Sequence, residues 1–428
     1  MFRYSLIAVL LLGNLYADET DAFMDGFDET PVPAAIIQES ARPSFSLKEY
    51  GLEGYLKQEA AYSYHNDAPH DKISSLRTTA FLEYNRDLWK NFQFKINANA
   101  FYDASYILKG KEKFSDEELD SLESQVELFD VYVQGTLIDN LDMKLGRQVV
   151  VWGKSDTIRV VDLLNPLDNR RPAMVDIEDL RLPSSMAKFD YYYENWSLTP
   201  IFILEQREDK LPPFGGDFNP SPVKVATQNK PNNVTFALNI SGEFSGFDVD
   251  FYFANVYPNF DFYPRTDVDI ENKITMYGAA FAYVNGSWLL KSELAYSQNN
   301  KYLGLGDQKL DRLDMLVGVE YNGMSETTIS LDLANKRFVK DYGIDQNNYQ
   351  AALRATVDFF HDTLHANYLL SVFGKSFNDG GYQRAWIEYE ISDSVKSTLG
   401  IVDYLGGNSF FDAINDNDMV FGDISYSF

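Results

Sequence analysis

Alternation of apolar and polar side chains over about ten residues is the feature that most constrains the fold of this chain. In residues 92–103, one face carries Phe92, Phe94, Ile96, Ala98, Ala100 and Tyr102. The opposite face carries Gln93, Lys95, Asn97, Asn99 and Asp103. Such a period of two is that of a β-strand, and its length suits one crossing of a bilayer. The pattern recurs at residues 234–240, 313–319 and 364–372, so the chain is predicted to be all-β.

Tight turns between these segments set the number of strands. Eight short connections are predicted, at residues 86–91, 139–141, 194–196, 242–246, 285–287, 322–326, 361–363 and 392–394. Longer connections lie between them, and this alternation is typical of membrane barrels. We therefore predict a transmembrane, antiparallel, up-and-down β-barrel over residues 45–428, with about 18 strands, or 16 as the alternative.

The two ends of the chain carry signals for export and assembly. Residues 1–17 combine Arg3, a short apolar run and a terminal Ala17, which predicts a cleaved signal peptide rather than a membrane anchor. Residues 18–44 are predicted to be a periplasmic segment. The last strand ends in Phe428 and resembles the C-terminal signature that barrel-assembly machinery reads in Gram-negative bacteria. The predicted location is the cell outer membrane, with its lipid as a partner.

Composition excludes several classes of protein. The formal net charge of -27 argues against binding nucleic acid, because phosphates require a basic surface. The sequence contains no cysteine, which excludes disulfides and a lipidated N-terminal cysteine. Three tryptophans, Trp89, Trp196 and Trp288, lie at predicted turns and indicate an aromatic belt at one membrane interface.

Charged residues are also predicted on the inner face of the barrel. The positions that this register points inward carry both signs: Arg77, Glu83, Asp103, Asp130, Lys291, Glu293, Arg312, Asp314, Asp332, Lys336, Arg354, Asp358, Arg384, Glu388 and Glu390. Opposite charges on adjacent strands attract, so a wall of cross-strand ion pairs is expected.

The candidate site is a long loop, residues 151–183, with an unusual density of arginine. The residues predicted to line a constriction or the path of a substrate are Arg147, Trp152, Lys154, Arg159, Arg170, Arg171 and Arg181. Loops of this length are usually functional or disordered, and the mixed composition argues against disorder. Two interpretations remain open, a constriction folded into the lumen or an external cap held by salt bridges.

The same region carries a resemblance to a known family. Gly146-Arg147-Gln148, Trp152-Gly153 and Asn165-Pro166 resemble an outer-membrane barrel family of unknown function, the domain-of-unknown-function 1302 type. The architecture is similar to that of alginate-export porins, although the acidic composition argues against a conduit for polyanions. The resemblance implies an association with RND-type exporters and traffic of lipid-like cargo.

The expected function is a porin-like channel for small or lipid-like solutes. A surface hydrolase on a barrel scaffold and a closed structural or adhesin barrel are the alternatives. No enzyme activity, catalytic residue, metal site or cofactor is predicted, because His361 and His365 span a turn and a strand, while His65 and His70 lie in a polar loop.

Two loops contain further motifs. Ser115 and Glu118 form a capping box, followed by Leu119, Leu122 and Val126, which predicts a short amphipathic helix that serves as a lid or as solvated decoration. The last loop carries Asp412, Asn415, Asp416, Asn417 and Asp418. Its oxygen-rich side chains predict a hydrated turn, with a calcium site as the alternative.

Overall fold

The computed structural model describes residues 50–89, 91–221, 224, 231, 233–259, 272–301, 305 and 308–428. Their strands are β1 Leu52–Ser63, β2 Lys72–Trp89, β3 Phe92–Asp103, β4 Ser124–Ile138, β5 Leu141–Gln148, β6 Ser184–Tyr193, β7 Trp196–Ile203, β8 Thr235–Phe244, β9 Phe247–Val256, β10 Ile274–Asn285, β11 Trp288–Asn300, β12 Leu310–Met324, β13 Thr327–Phe338, β14 Asn347–Phe359, β15 Leu364–Phe373, β16 Gly381–Ser392, β17 Val395–Leu405 and β18 Met419–Ser427. Three short α-helices lie in loops: α1 Ser105–Lys109, α2 Asp116–Leu122 and α3 Ser409–Asp412.

The strands close into one barrel. Each strand pairs antiparallel with its neighbour in the chain, and β18 pairs with both β17 and β1 to complete the 18-stranded sheet. The backbone N–H and C=O of Phe428 also pair with Gly54, at 3.0 and 3.1 Å. This ring leaves no free sheet edge, which is the requirement for strands that cross a bilayer.

The predicted alternation sets which side chains face outward. In β18, Val420, Ile424 and Tyr426 are exposed on the outer surface, whereas Met419 and Phe421 are buried inside. Similarly, Leu290 and Leu294 of β11 are exposed, whereas Lys291 and Glu293 between them are buried. A register shift of one residue would exchange the two faces, so the pattern specifies the pairing strongly.

All eight predicted turns connect consecutive strands, and the prediction of 18 strands is confirmed. Asn140, Gly246 and Gly286 supply positive φ angles of 67°, 88° and 60°, which tight hairpin turns require. The tight turns lie at one end of the barrel, which we call the turn end. The longer connections lie at the opposite end, which we call the loop end. Trp89 and Trp288 are half or more exposed at the turn end, as predicted.

The predicted signal peptide, residues 1–17, and the predicted periplasmic segment, residues 18–44, lie outside the described residues. The described strands begin at Leu52 and end at Ser427. None of the helices among the described residues is long and apolar enough to cross a membrane.

The serine half of the capping box forms, whereas the Glu118 carboxylate binds His70 and Tyr106, and the helix that follows is not solvated decoration. The Ser115 hydroxyl accepts a hydrogen bond from the backbone N–H of Glu118 at 3.1 Å, which starts α2. The helix ends at Leu122, so the inclusion of Val126 was wrong, because that residue lies in β4 and is exposed. Glu118 and Leu122 are buried instead, and His70 lies 3.0 Å from Glu118.

The last loop is also more buried than a hydrated turn. Asn417 and Asp418 are 3% and 6% exposed. The Asn417 amide donates to the backbone carbonyl of Asp217 at 2.8 Å, and Asp418 accepts a hydrogen bond from the backbone N–H of Tyr404 at 2.7 Å. His65 lies 3.0 Å from the same carboxylate. The prediction of a hydrated turn was therefore wrong for Asn417 and Asp418, because neighbouring loops pack over them.

Candidate functional site

The long loop, which in the structure begins at residue 149, packs against the inner wall of the barrel. Its buried apolar side chains are Val150, Trp152, Ile158, Val160, Val161 and Leu164. They share one cluster with inward side chains of β8–β14, namely Ala237, Tyr252, Ala254, Met276, Ala280, Ala295, Leu316, Ala334 and Ala352. Because most of these wall residues are alanines, they leave room for the loop, and burial of its apolar surface stabilises this position.

Two wall carboxylates bind the backbone and hydroxyl groups of the loop. Glu293 of β11 accepts hydrogen bonds from the backbone N–H groups of Lys154 at 2.6 Å and Ser155 at 2.9 Å. Asp332 of β13 accepts from the hydroxyls of Ser155 at 2.7 Å and Thr157 at 2.6 Å. Glu293 and Asp332 are 4% and 3% exposed, so these bonds replace the hydration that both carboxylates lose on burial.

Ion pairs extend this attachment to the same wall. Lys154 Nζ lies 2.9 Å from Asp250 of β9. Asp156 lies 3.0 Å from Lys291 of β11. The expected wall of cross-strand ion pairs is thus only part of the arrangement, since several wall charges pair with the long loop instead. Pairs inside a narrow lumen are screened less than pairs on an open surface.

The second half of the long loop reaches a different part of the wall. Arg171 Nη2 lies 2.6 Å from Glu59 of β1. Asp176 lies 2.9 Å from Arg354 of β14 and 3.1 Å from Arg384 of β16. Met174 is buried in a cluster that includes Trp386, Val402 and Tyr404 of β16 and β17. The loop therefore contacts the wall at β8–β14 and again at β14–β1, so it crosses the lumen.

The Asn-Pro motif ties the two ends of the long loop together. Asn165 is fully buried, and its side-chain carbonyl accepts the backbone N–H of Val150 at 2.7 Å. Its amide donates to the backbone carbonyls of Gln148 at 3.2 Å and Leu182 at 2.9 Å. One asparagine thus joins the residues that enter and leave the loop.

Arginine–aspartate pairs hold the interior of the loop. Arg159 and Arg181 both approach Asp162, at 3.1 and 2.8 Å. Arg170 binds Asp168 through two hydrogen bonds, at 2.8 and 2.5 Å. Burial by itself would raise the pKa of Asp168, but the hydrogen bonds and charge of Arg170 hold this pKa below its ordinary value. Asp168 is therefore the ionised partner of Arg170 at neutral pH.

A cavity of about 450 Å³ remains between the long loop and the wall formed by β1–β4. Its wall side is lined by Tyr55, Lys57, Glu59, Arg77, Thr79, Phe81, Asn99, Phe101, Gln125, Glu127 and Phe129. Its loop side is lined by Asp168, Arg170, Arg171, Met174, Val175, Asp179 and Leu180, and Leu122 also contributes. The size is that of a pocket for a small organic molecule.

The structure separates the predicted site residues into two groups. Arg170 and Arg171 line the cavity. Lys154, Arg159 and Arg181 form the pairs described above, and Trp152 packs over Tyr252 with ring centroids 4.8 Å apart. Arg147 pairs with Glu205 at 2.5 Å. These five hold the loop and its neighbours in place.

Several cavity residues were missed as site residues. Lys57, Glu59 and Glu127 lie on β1 and β4, and Arg77 of β2 was predicted only to point inward. A period-two register applied to β1, as to the other strands, would have pointed Lys57 and Glu59 inward. It would not have shown that the cavity between the long loop and the wall lies at β1–β4.

The closed antiparallel barrel and its inserted loop define a porin-type β-barrel. The fold is similar to that of a BenF-like porin from Pseudomonas fluorescens, at a TM-score of 0.55 and 10% identity, covering 88% of this chain and 97% of that one. It is similar to OccAB3 of Acinetobacter baumannii, at 0.52 and 12% identity, covering 88% and 98%. OccK11 (OpdR) of Pseudomonas aeruginosa follows at 0.51 and 11%, covering 88% and 95%.

The chain belongs to the family described as protein of unknown function (DUF1302), whose model matches residues 70–428. The sequence matches none of the curated proteins. At about a tenth identical residues, the solved structures establish the fold alone.

Proposed function

We propose that this protein is an outer-membrane channel for small or lipid-like solutes, narrowed by the long loop. The observation that carries the proposal is the cavity between that loop and β1–β4, because it is a lined space inside the barrel. The apolar outer surface supports a membrane location, since large side chains such as Leu290, Phe251 and Val317 are 46%, 49% and 60% exposed there.

The proposed path runs along the inner wall of β1–β4. A second, smaller cavity lies toward the loop end and is bordered by Ser75, Asp103 and Tyr106, among others. Arg77, Arg171 and Leu122 border both cavities. We infer that the two guanidinium groups form the narrow point between the larger cavity and the loop end.

Replacing Arg170 and Arg171 together by Ala is expected to shift ion selectivity toward cations. The change removes two positive charges and leaves Asp168 and Glu59 without their partners, so the passage becomes more negative. A charge ~4 Å away is worth about 1 kcal/mol even in water, so the ratio of cation to anion permeability should rise at least about threefold. Reversal potentials of purified protein in a salt gradient across a planar bilayer measure this ratio.

Arg312→Ala is the matched control for that experiment. Arg312 also points into the barrel, but it pairs with Asp314 on β12 and lines neither cavity. Its removal should leave the reversal potential nearly unchanged. An unchanged reversal potential in a conducting Arg170→Ala, Arg171→Ala channel would show that the path does not pass these arginines.

The orientation of the barrel predicts which end is accessible from outside the cell. Long loops of membrane barrels face the exterior and tight turns face the periplasm. An epitope tag inserted at Gly110, beside the exposed residues Lys111–Lys113 at the loop end, is therefore expected to bind antibody on intact cells. A tag at Gly286, in a tight turn, serves as the control and should require permeabilised cells. The reverse pattern of labelling would invert the proposed orientation.

A further inference from the structure

Three of the carboxylates that line the larger cavity are paired with cations of the protein. Glu127 is held by Arg207 and Lys210, each at 2.5 Å, and Asp168 is held by Arg170. Glu59 is paired with Arg171. These three carboxylates are thus already neutralised by cations of the protein.

Arg77 has hydrogen-bonding capacity left over. Its side chain is 13% exposed, and its Nε has no hydrogen-bond partner within the described part of the chain. The nearest carboxylate, Asp103, lies 3.6 Å away. Asp103 already accepts hydrogen bonds from the hydroxyls of Ser75 and Ser105, both at 2.6 Å. A guanidinium group has five N–H donors, so Arg77 retains donors for a further acceptor.

Arg77 is not without partners, since it pairs with Asp103 and donates to the backbone carbonyl of Leu122 at 3.4 Å, but Lys57 is a second cation with capacity for a further acceptor. It lines the same cavity and, among the residues that the structure describes, makes no ion pair. It lies on β1 two positions from Glu59, on the same face of the strand, because side chains alternate. The uncommitted charge of the wall is therefore positive.

The remaining carboxylate of the cavity lies opposite these cations, on the long loop, and offsets part of the positive charge of the wall. Asp179, on the loop side, makes no ion pair among the described residues. Burial and the nearby charge of Asp176 raise the pKa of Asp179, although the charges of Lys57 and Arg384 act in the opposite direction.

Aromatic side chains beside these cations provide an apolar surface. The rings of Tyr55 and Phe81 stack with centroids 5.2 Å apart and an interplanar angle of 16°. The guanidinium of Arg77 lies 4.2 Å from the ring centroid of Phe101. Met174 and Val175 face them from the long loop. A ligand here would meet a cationic group at one side and apolar surface at the other.

We propose that this cavity binds an organic anion with an apolar body, its carboxylate held by Arg77 and Lys57 and its body against Phe81 and Phe101. This proposal rests on the proposed function, because the site lies on the proposed path. It adds the chemical class of the solute.

Hexanoate is a suitable probe, with hexanamide as the neutral control of matched shape. Full-length protein in lipid nanodiscs is titrated with each by isothermal titration calorimetry, and empty nanodiscs correct for partition into lipid. Hexanoate is expected to bind saturably, and hexanamide at least about tenfold more weakly, because a hydrogen bond to a charged group is worth roughly 1.5–3 kcal/mol. Equal binding of the two compounds, or no saturable binding of hexanoate, overturns the proposal.

Variants locate the site. Lys57→Gln and Arg77→Gln are each expected to weaken hexanoate binding about tenfold, whereas Arg312→Gln, an inward cation that lines neither cavity, should leave it unchanged. Lys57→Gln provides the test if the buried Arg77→Gln variant does not fold. Equal losses in Arg312→Gln overturn the assignment to this cavity.

The test of the anion site can fail independently of the test of the proposed channel function. A barrel that conducts ions but does not bind hexanoate overturns the anion site and leaves the channel. A barrel that binds hexanoate but conducts no ions supports the site and contradicts the channel. Both measurements start from the same purified protein, so a defect in folding would affect both.

Discussion

Replacing Phe428 with Asp is expected to remove most of the folded protein from the outer membrane. Phe428 ends the chain beside β18, where its backbone pairs with Gly54 and its ring lies 6.3 Å from Tyr426. A C-terminal aromatic residue is part of the signature that assembly machinery is expected to read. The level of folded barrel, seen as heat-modifiable migration of outer-membrane fractions, should fall to a small fraction of the wild-type level. Deletion of Phe428 should have the same effect.

The same substitution should perturb an assembled barrel only slightly. An acidic side chain near the membrane interface costs about 0–1 kcal/mol, so protein refolded in detergent should lose little free energy of unfolding. Phe410→Asp is the control, because Phe410 is 49% exposed in α3 at the loop end and makes no strand pairing. Normal membrane levels of Phe428→Asp, or equal losses in Phe410→Asp, would contradict the role of the terminal aromatic residue.

Glu293→Ala is expected to release the first half of the long loop and to raise single-channel conductance severalfold. The carboxylate accepts backbone N–H groups of Lys154, Ser155 and, at 3.4 Å, Val161. Its removal leaves these donors unpaired in a buried place, at a cost of roughly 1–3 kcal/mol for each. The neighbouring Asp332 binds Ser155 and Thr157 through their hydroxyls and not through these backbone N–H groups.

Planar-bilayer recordings of the purified variant test this expectation. Asp248→Asn is the matched control, because Asp248 approaches the same loop residue, Lys154, but at 3.9 Å and with a side chain that is 43% exposed. Exposed ion pairs contribute about 0–1 kcal/mol, so this variant should conduct as the wild type does. If Glu293→Ala folds and keeps the wild-type conductance, the long loop does not limit the passage.

Local patterns predicted the barrel because the properties that specify it are local. Alternation with a period of two is intrinsic to an extended strand, so the faces of β3, β12 and β18 could be assigned from the sequence. Tight turns depend on a few residues with positive φ, such as Asn140 and Gly246, and they set the strand count. Ser115 likewise started α2 through a hydrogen bond three residues along the chain.

The buried loop contacts could not be predicted in the same way. Glu118, Asn417 and Asp418 have the polar side chains of surface residues, yet each is buried by a partner distant in the sequence. For Asn417 that partner is the backbone of Asp217, in another loop. A local sequence pattern predicts whether a residue would be exposed on its own element. It does not predict burial by other loops that pack over that element.

The sequence alone predicted that this chain forms a barrel of about 18 strands, with 16 as the alternative, and an arginine-rich long loop. Only the tertiary structure decided that the loop crosses the lumen, that Arg170 and Arg171 border the cavity, and that Lys57, Glu59 and Arg77 meet them there. The physical reason is that strand pairing follows from neighbouring residues, whereas the position of the loop depends on small alanines and carboxylates of β8–β14, more than fifty residues further along the chain. Closure of the barrel brings these groups together, and a local sequence pattern cannot predict contacts between residues so far apart in the chain.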